Sequence, residues 1–156
     1  MKTPRVYVDT SVIGGCFDPE FAPWSLALMM DFKLGLLRPV VSDIVRLEIA
    51  GAPLVVRQQY EELLAQGAEE VPTSEEAANL TAAYAAQQIL PIKYVNDARH
   101  IALATVAEVD VLVSWYFRHI VHFDKIRLFN AVNLLTGYRP VAIHSPREVT
   151  VYGKEL

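Results

Sequence analysis

Three carboxylates lie in three separate segments of the chain, each at a place where an acidic residue could do chemistry. Asp9 ends a short apolar segment, Glu48 lies among apolar residues on a predicted helix, and Asp97 opens another predicted helix. Converging carboxylates repel one another and raise one another's pKa. The usual compensation is a hard divalent cation bound by oxygen ligands. The three acids therefore predict a metal site, and a metal-dependent phosphodiesterase is the first hypothesis for the chain.

Each acid also has a purely structural explanation. Asp9 could close an Asx-turn, Glu48 could face solvent in a surface ion pair, and Asp97 could stabilise the first turn of its helix through the helix dipole. For Asp9 the functional interpretation is favoured, because Thr10 and Ser11 follow it. Their hydroxyls can bind a phosphate or orient a carboxylate ligand.

Strand patterns recur along the sequence and position these acids. The apolar and β-branched segments predict the following strands: Arg5–Val8, Pro39–Val41, Val111–Ser114, Val141–Ile143, Val149–Tyr152 and a minor strand at Val71. Helical spacing predicts helices between them: Trp24–Leu37, one after Ser42 that carries Glu48, Val55–Ala65, Thr73 to about Leu90, Asn96 to about Val109, and Asp124–Thr136. Ser42, Thr73 and Asn96 are the predicted N-caps.

The alternation of strands and helices predicts an α/β fold with a mainly parallel sheet, formed by residues 1–156 as a single domain. In such sheets, ligands bind beyond the carboxyl ends of the strands, near a switch in strand order. Asp9 and Ser114 both lie at the carboxyl end of a predicted strand. The sequence therefore places polar groups where this architecture has its binding sites.

Composition limits the class of protein. The chain is 53% hydrophobic and 21% charged, which supports a full core and leaves apolar residues for a second buried surface such as a dimer interface. The net charge of −4 gives no global attraction to nucleic acid. Cys16, the single cysteine, excludes an internal disulfide and indicates a reducing compartment. Without a signal peptide or an apolar run of about 20 residues, we expect a cytoplasmic protein with no membrane contact.

The most basic segment of the chain follows Ser114 and could bind an RNA backbone locally despite the acidic total. Its basic residues are Arg118, His119, His122, Lys125 and Arg127, and Asp124 lies among them. A solvated loop and helix face explains the same segment equally well. His119 and His122 also have the spacing of a transition-metal pair, but matching cysteines or histidines are lacking.

Four short motifs, in this order and spacing, resemble a PIN domain. They are Val8-Asp9-Thr10-Ser11, Glu48 after the second strand, Asn96-Asp97-Ala98 at a helix start, and Val111-Leu112-Val113-Ser114-Trp115. Segments 114–120, 125–138 and 145–149 are similar to a bacterial subgroup related to VapC-type toxins. The resemblance covers nearly the whole chain.

This resemblance implies a Rossmann-like α/β/α sandwich and a ribonuclease dependent on Mg²⁺ or Mn²⁺. Asp9, Glu48 and Asp97 would be its catalytic and metal-binding acids. Ser11 and Ser114 match supporting hydroxyl positions of the family, with Thr10 and Asn96 as supporting neighbours. RNA would be the substrate, and the resemblance also implies a homodimer and a cognate antitoxin protein.

Tyr116 departs from the family's pattern, which has an acidic or amide residue two positions after the equivalent of Ser114. A phenol with a pKa of about 10 is a poor ligand for a hard cation. Asp110 lies at the far end of the same strand, roughly 13 Å from Ser114 at about 3.3 Å per residue. The site therefore works with three acids, is completed by Asp124, or is impaired.

Two other functions follow from these residues. The main alternative is a catalytically degenerate PIN module that binds RNA or a protein partner, with Tyr116 stacking on a base. An aspartyl-phosphate phosphotransferase with Asp9 as nucleophile is a third hypothesis. It is disfavoured because Ser11 stands where haloacid-dehalogenase-like enzymes usually carry a second aspartate.

Overall fold

Strands at the centre of the molecule match most of the sequence predictions. The computed structural model describes residues 2–155. Its strands are β1 (Arg5–Val8), β2 (Arg38–Ser42), β3 (Glu69–Val71), β4 (Val111–Val113) and β5 (Ile143–His144). The predicted strands at β1, β2 and β4 are confirmed, and Val71 belongs to β3. The fifth strand begins two residues later and ends one residue later than predicted.

Helices connect these strands and account for most of the remaining chain. They are α1 (Thr10–Gly15), α2 (Ala22–Lys33), α3 (Asp43–Ala50), α4 (Leu54–Ala65), α5 (Glu75–Ala86), α6 (Val95–Val106), α7 (Phe123–Leu135) and α8 (Pro146–Val149). Ser42 caps α3 as predicted, since its side chain accepts a hydrogen bond from the backbone N–H of Val45. Among residues 2–155, none of the helices has the length and apolar character needed to cross a membrane.

The sheet is parallel throughout, in the order β3-β2-β1-β4-β5. The chain adds β2 and β3 on one side of β1 and then crosses to add β4 and β5 on the other side. Strand order therefore reverses between β1 and β4, where Val8 pairs with Val113. Helices flank the sheet, so the predicted α/β sandwich with a parallel central sheet is confirmed.

The core lies on both faces of the three central strands. Val6, Tyr7 and Val8 of β1 are fully buried, and so are Leu112 and Val113 of β4. Parallel strands covered on both faces are expected to be apolar without alternation, because no face meets water. This buried sheet fixes the carboxyl ends of β1 and β4, and it thereby fixes the positions of the polar residues that follow these strands.

A short helix, α1, follows β1 directly and contains two adjacent glycines. Gly14 and Gly15 lie in the last turn of α1. A Cβ atom on Gly15 would lie 2.7 Å from both Ser25 Oγ and Trp115 Nε1. The missing side chain therefore lets α1 pack closely against α2 and against the residue after Ser114.

Three helices end earlier than their sequence patterns predicted. The chain enters the left-handed region at Gly35, Gln88 and Glu108, with φ angles of 74°, 54° and 54°. Such residues commonly follow the last turn of a helix, because they turn the chain away from the helix axis. The ends of α2, α5 and α6 are therefore set by local backbone conformation rather than by hydrophobic spacing.

Two predicted N-caps are wrong by one or two residues. Ser74, not Thr73, caps α5 through its side chain. Helix α6 begins at Val95, so Asn96 lies inside its first turn and caps nothing. Asn96 is exposed, and its side-chain oxygen accepts a hydrogen bond from Arg99 Nη1 at 2.8 Å.

The C-terminal segment is helical rather than extended. The predicted strand Val149–Tyr152 is wrong, since α8 ends at Val149 and a 3-10 turn covers Tyr152–Glu155. Asp31 of α2 accepts hydrogen bonds from the backbone N–H groups of Val151 and Tyr152, at 3.0 and 2.7 Å. A buried carboxylate thus satisfies backbone groups that a neighbouring strand would otherwise have paired.

Candidate active site

Asp9 lies at the switch in strand order, directly after β1, and is fully buried. Its Oδ1 accepts hydrogen bonds from Ser11 Oγ at 2.7 Å and from the backbone N–H of Val12 at 3.3 Å. Its Oδ2 accepts from Ser114 Oγ at 2.6 Å. Asp9 is therefore the N-cap of α1 and at the same time joins the ends of β1 and β4.

Burial raises the pKa of Asp9 above its usual value, because the charged form loses its hydration. The positive field of His100 and the hydrogen bonds from Ser11, Ser114 and Val12 lower the pKa but do not fully offset this effect. A carboxylate in this state would gain from a nearby cation, which favours the ionised form. Residue type, burial and pKa thus agree with a cation-binding role.

Glu48 lies on α3 and forms hydrogen bonds with Thr10 and His100. Its Oε1 accepts from Thr10 Oγ1 at 2.9 Å and is 2.6 Å from His100 Nε2. Burial raises the pKa of Glu48, but the hydrogen bonds from His100 and Thr10 and the field of His100 outweigh it, so the pKa is lowered. Because Thr10 follows Asp9 in the chain, this contact also places Glu48 beside the end of β1.

Asp97 lies in the first turn of α6, and its Oδ2 is 3.0 Å from His119 Nδ1. The ring of His119 lies against that of Tyr94, with 3.9 Å between centroids. Burial raises the pKa of Asp97, the contact with His119 lowers it, and the negative charge of Glu48 raises it again. The net direction of the pKa shift is upward.

The pKa of Tyr116 is affected by the charges of all three acids. Its pKa is raised to about 12, first by burial and then by the charges of Asp9, Asp97 and Glu48. The phenol is 41% exposed, and the backbone N–H of Tyr116 donates to Ser114 Oγ at 3.0 Å. The charges of all three acids therefore act on Tyr116.

Donor chemistry at this site fits a hard divalent cation, since the acids supply carboxylate oxygens. Glu48 Oε2 and Asp97 Oδ1 accept no hydrogen bond from the described residues. Across residues 2–155, however, no three His, Cys, Asp or Glu side chains are grouped closely enough to hold a metal ion as they stand. The acids thus have the right ligand type, and in this conformation each is engaged by its own hydrogen-bond partners.

The basic segment after Ser114 is only partly free to bind an anion. His119 contacts Asp97, and Lys125 Nζ donates to the backbone oxygen of Ile89 at 2.8 Å. Arg127 lies 3.8 Å from Asp124 on the surface of α7. Arg118 and His122 are exposed. Asp124 is exposed too, and it forms an ion pair with Arg127 rather than a contact with Asp9, Glu48 or Asp97.

His100 and Tyr7 are the site residues that the sequence analysis missed. His100 is 1% exposed and contacts Glu48 through Nε2 and Tyr7 Oη through Nδ1, at 2.6 and 2.7 Å. His100 lies three residues after Asp97, one helical turn away on the same side of α6. That spacing was the available signal, but a lone histidine in an apolar helix is usually a core residue.

Comparison with known proteins shows similarity at the level of the fold. No protein-family model matches the sequence. No curated protein matches it either. The structure is similar to the crystal structure of VapBC2 from Rickettsia felis bound to a DNA fragment from their promoter, with a TM-score of 0.58 and 10% sequence identity over 90% of this chain and 98% of that chain. The fold is therefore PIN-like, with a Rossmann-like parallel sheet.

Proposed function

We propose that this chain is a VapC-like endoribonuclease that uses Mg²⁺ or Mn²⁺ to hydrolyse RNA phosphodiester bonds. The observation that carries the proposal is the position of Asp9, buried at the strand-order switch and bound by Ser11 and Ser114. Open parallel sheets bind their ligands at this switch. The acids Glu48 and Asp97 on neighbouring helices and the fold shared with VapBC2 support the same assignment.

Asp9, Glu48 and Asp97 would hold the cation, which supplies Lewis-acid and charge-neutralising chemistry at the phosphate when bound. The chain's own residues then have distinct tasks. Ser11 and Ser114 keep Asp9 oriented, and Thr10 and His100 bind Oε1 of Glu48 so that Oε2 stays available. The basic residues after Tyr116, with Arg118 and His122 the most accessible, would bind the RNA backbone.

A cognate antitoxin and a homodimer belong to the same proposal. The neighbour is a VapBC2 complex on promoter DNA, which supports an antitoxin as partner. Large apolar side chains exposed on α7, among them Phe123, Leu134 and Leu135, support a second buried surface. A cytoplasmic location goes with the same assignment.

Replacing Asp97 by asparagine tests the nuclease directly. We expect the parent to bind Mn²⁺ and to cleave RNA, and the Asp97→Asn variant to lose both by at least about 100-fold. Losing an outer-shell partner of a metal site lowers metal affinity or activity by up to about 100-fold, and losing a direct ligand should lower it further. The measurements are isothermal titration with Mn²⁺ and cleavage of labelled RNA with and without a chelator.

The matched control is Asp110→Asn, because Asp110 lies at the opposite end of β4 and its carboxylate accepts the backbone N–H of Arg5 at 2.7 Å. This variant should bind Mn²⁺ and cleave RNA like the parent. A parent that neither binds Mn²⁺ nor cleaves any RNA tested would overturn the nuclease.

A module that binds RNA without cutting it is the second candidate function. It is favoured by the contacts of Glu48 and Asp97 with His100 and His119 and by the lack, within residues 2–155, of any three side chains grouped to hold a metal ion. Tyr116 supports it as well, since an exposed aromatic ring can stack on a base with about 1–3 kcal/mol. The two candidates predict different behaviour for variants at this tyrosine.

If the chain is a nuclease, we expect both the parent and Tyr116→Asp to cleave RNA. The variant should bind Mn²⁺ about tenfold more tightly than the parent, because added carboxylate charge strengthens sites for hard cations. Tyr116→Phe keeps the aromatic face and serves as the control. Cleavage by Tyr116→Asp alone, with none by the parent or by Tyr116→Phe, would instead establish the binding module.

A further inference from the structure

A buried chain of hydrogen bonds runs behind the acidic site and ends on Glu48. Ser42 Oγ lies 2.7 Å from Tyr7 Oη, which lies 2.7 Å from His100 Nδ1. The other ring nitrogen, His100 Nε2, lies 2.6 Å from Glu48 Oε1. Ser42, Tyr7 and His100 are all buried, so water does not compete for these bonds. The chain links β2, β1, α6 and α3 in one sequence of contacts.

The bond to Glu48 has a defined donor. An ionised Glu48 carboxylate can only accept, so His100 Nε2 carries the proton of that bond. A neutral ring accepts from the phenol of Tyr7 at Nδ1, and a protonated ring donates to the phenol oxygen there. In both forms the proton on Nε2 is directed at Oε1 of Glu48.

The two carboxylate oxygens of Glu48 differ in their contacts. Both His100 and Thr10 bind Oε1, while Oε2 accepts no hydrogen bond from the described residues. Resting on the proposed nuclease function, we propose that His100 and Tyr7 are positioning residues, which hold Glu48 by Oε1 and thereby present Oε2 to the divalent cation. Neither residue touches the cation or the RNA.

Packing alone does not account for a histidine and a tyrosine here. The other buried residues of α6 near His100 are apolar or small, including Ala98, Ile101 and Ala102. A buried imidazole without partners would be costly, so an apolar residue would serve the core better. Carboxylates that bind metals are commonly oriented by outer-shell hydrogen bonds, and losing such a partner lowers metal affinity by about 10–100-fold.

Four variants separate positioning from stability. His100→Leu fills similar space without a hydrogen bond, and His100→Gln restores an N–H donor for Glu48. Tyr7→Phe removes only the link behind the imidazole. Tyr84→Phe is the matched control, because Tyr84 is a buried tyrosine whose hydroxyl donates to Asn133 Oδ1 and makes no contact with the acids.

Mn²⁺ affinity at constant pH is the first readout. We expect His100→Leu to weaken binding by about 10–100-fold, Tyr7→Phe to weaken it less, and His100→Gln to recover most of the loss. Tyr84→Phe should lower the unfolding temperature without changing Mn²⁺ affinity. Equal Mn²⁺ affinity in the parent and in His100→Leu would overturn the positioning role and leave the nuclease intact.

A second readout uses the metal-free protein and does not depend on activity. Nitrogen-15 spectra of the imidazole groups should show a slowly exchanging proton on His100 Nε2 that is lost in Glu48→Gln and in Tyr7→Phe. A ring without a proton on Nε2 would overturn the positioning role, whatever the metal data show. Failure of the nuclease would appear separately, as a parent that binds no Mn²⁺ while this proton is present.

Discussion

Replacing Asp9 by asparagine is expected to change activity and stability in opposite directions. RNA cleavage with Mn²⁺ should fall by at least about 100-fold, because an amide replaces the carboxylate at the centre of the site. The free energy of unfolding of the metal-free protein should rise by about 0.5–2 kcal/mol, the usual size of a single stabilising substitution. Such opposite changes are expected of a functional residue and not of a core residue.

The physical reason lies in the burial of Asp9. Its pKa is raised by desolvation, so the folded state binds a proton more tightly than the unfolded state. The charged form is therefore disfavoured in the fold, and the parent loses stability as pH rises from the unfolded pKa of about 3.9 to the folded pKa. Asparagine has no charge to desolvate, and its carbonyl can still accept from Ser11 and Val12.

Because the fold raises the pKa of Asp9, the gain in stability from Asp9→Asn should depend on pH. Urea unfolding with a chelator present compares the stability of Asp9→Asn with that of the parent. The advantage of the variant should be smallest near pH 4 and larger at pH 7. At pH 7, each unit by which the fold raises the pKa of Asp9 corresponds to about 1.4 kcal/mol. Added Mn²⁺ should stabilise the parent and not the variant.

Asp110→Asn is the control for this series, since it replaces an exposed carboxylate outside the site. An Asp9→Asn variant that cleaves RNA as fast as the parent would contradict the assignment of Asp9 to the site. A variant less stable than the parent at every pH would contradict the account of its burial.

Much of the site could be predicted because its central residue is fixed by local sequence. Asp9 directly follows a β-branched strand, and Ser114 directly follows another, so their positions depend only on the sheet being parallel. The register of β1 on β4, with Val8 opposite Val113, then brings the two residues into contact. Little more than strand recognition and the topology of parallel sheets is needed to expect this contact.

His100 could not be predicted because its role depends on partners from three distant parts of the chain. Tyr7, Ser42 and Glu48 lie on β1, β2 and α3, and the histidine reaches them only after the sheet and α6 have packed. On the sequence alone, His100 is one polar residue in an apolar helix. The same limit applies to His119, whose contact with Asp97 depends on the path of a loop.

The start of α6 was mispredicted for a local reason. A 3-10 turn over Ile92–Tyr94 leads directly into the helix, so the backbone is already coiled before Asn96. The first turn then needs no side-chain cap, and Asn96 is left to bind Arg99 on the surface. Residue preferences at N-caps describe helices that begin from extended chain, which is not the situation here.

The Asp31→Ala variant should have a large effect on stability without being part of the site. Asp31 is fully buried, and its carboxylate accepts hydrogen bonds from Thr150 Oγ1, Val151 N and Tyr152 N, at 2.7, 3.0 and 2.7 Å. Hydrogen bonds to charged groups contribute about 1.5–3 kcal/mol each, and water can replace some of them. We expect the free energy of unfolding to fall by about 3–5 kcal/mol.

Hydrogen exchange and urea unfolding measure this effect together. The amides of Val151 and Tyr152 should lose their protection first in Asp31→Ala, and Thr150→Val should show a smaller loss because it removes a single donor. A loss of less than about 0.5 kcal/mol, typical of a surface substitution, would contradict the role of Asp31.

Asp31 and Asp9 show why burial of an aspartate does not by itself identify a functional residue. Both are fully buried and both are bound by hydroxyl and backbone donors. The donors on Asp31 all come from the C-terminal segment and close it onto α2, with no second acidic group taking part. Asp9 shares its surroundings with Glu48 and Asp97, whose charges act on the same Tyr116. Opposite stability effects in the two variants would therefore distinguish a structural carboxylate from one kept for its chemistry.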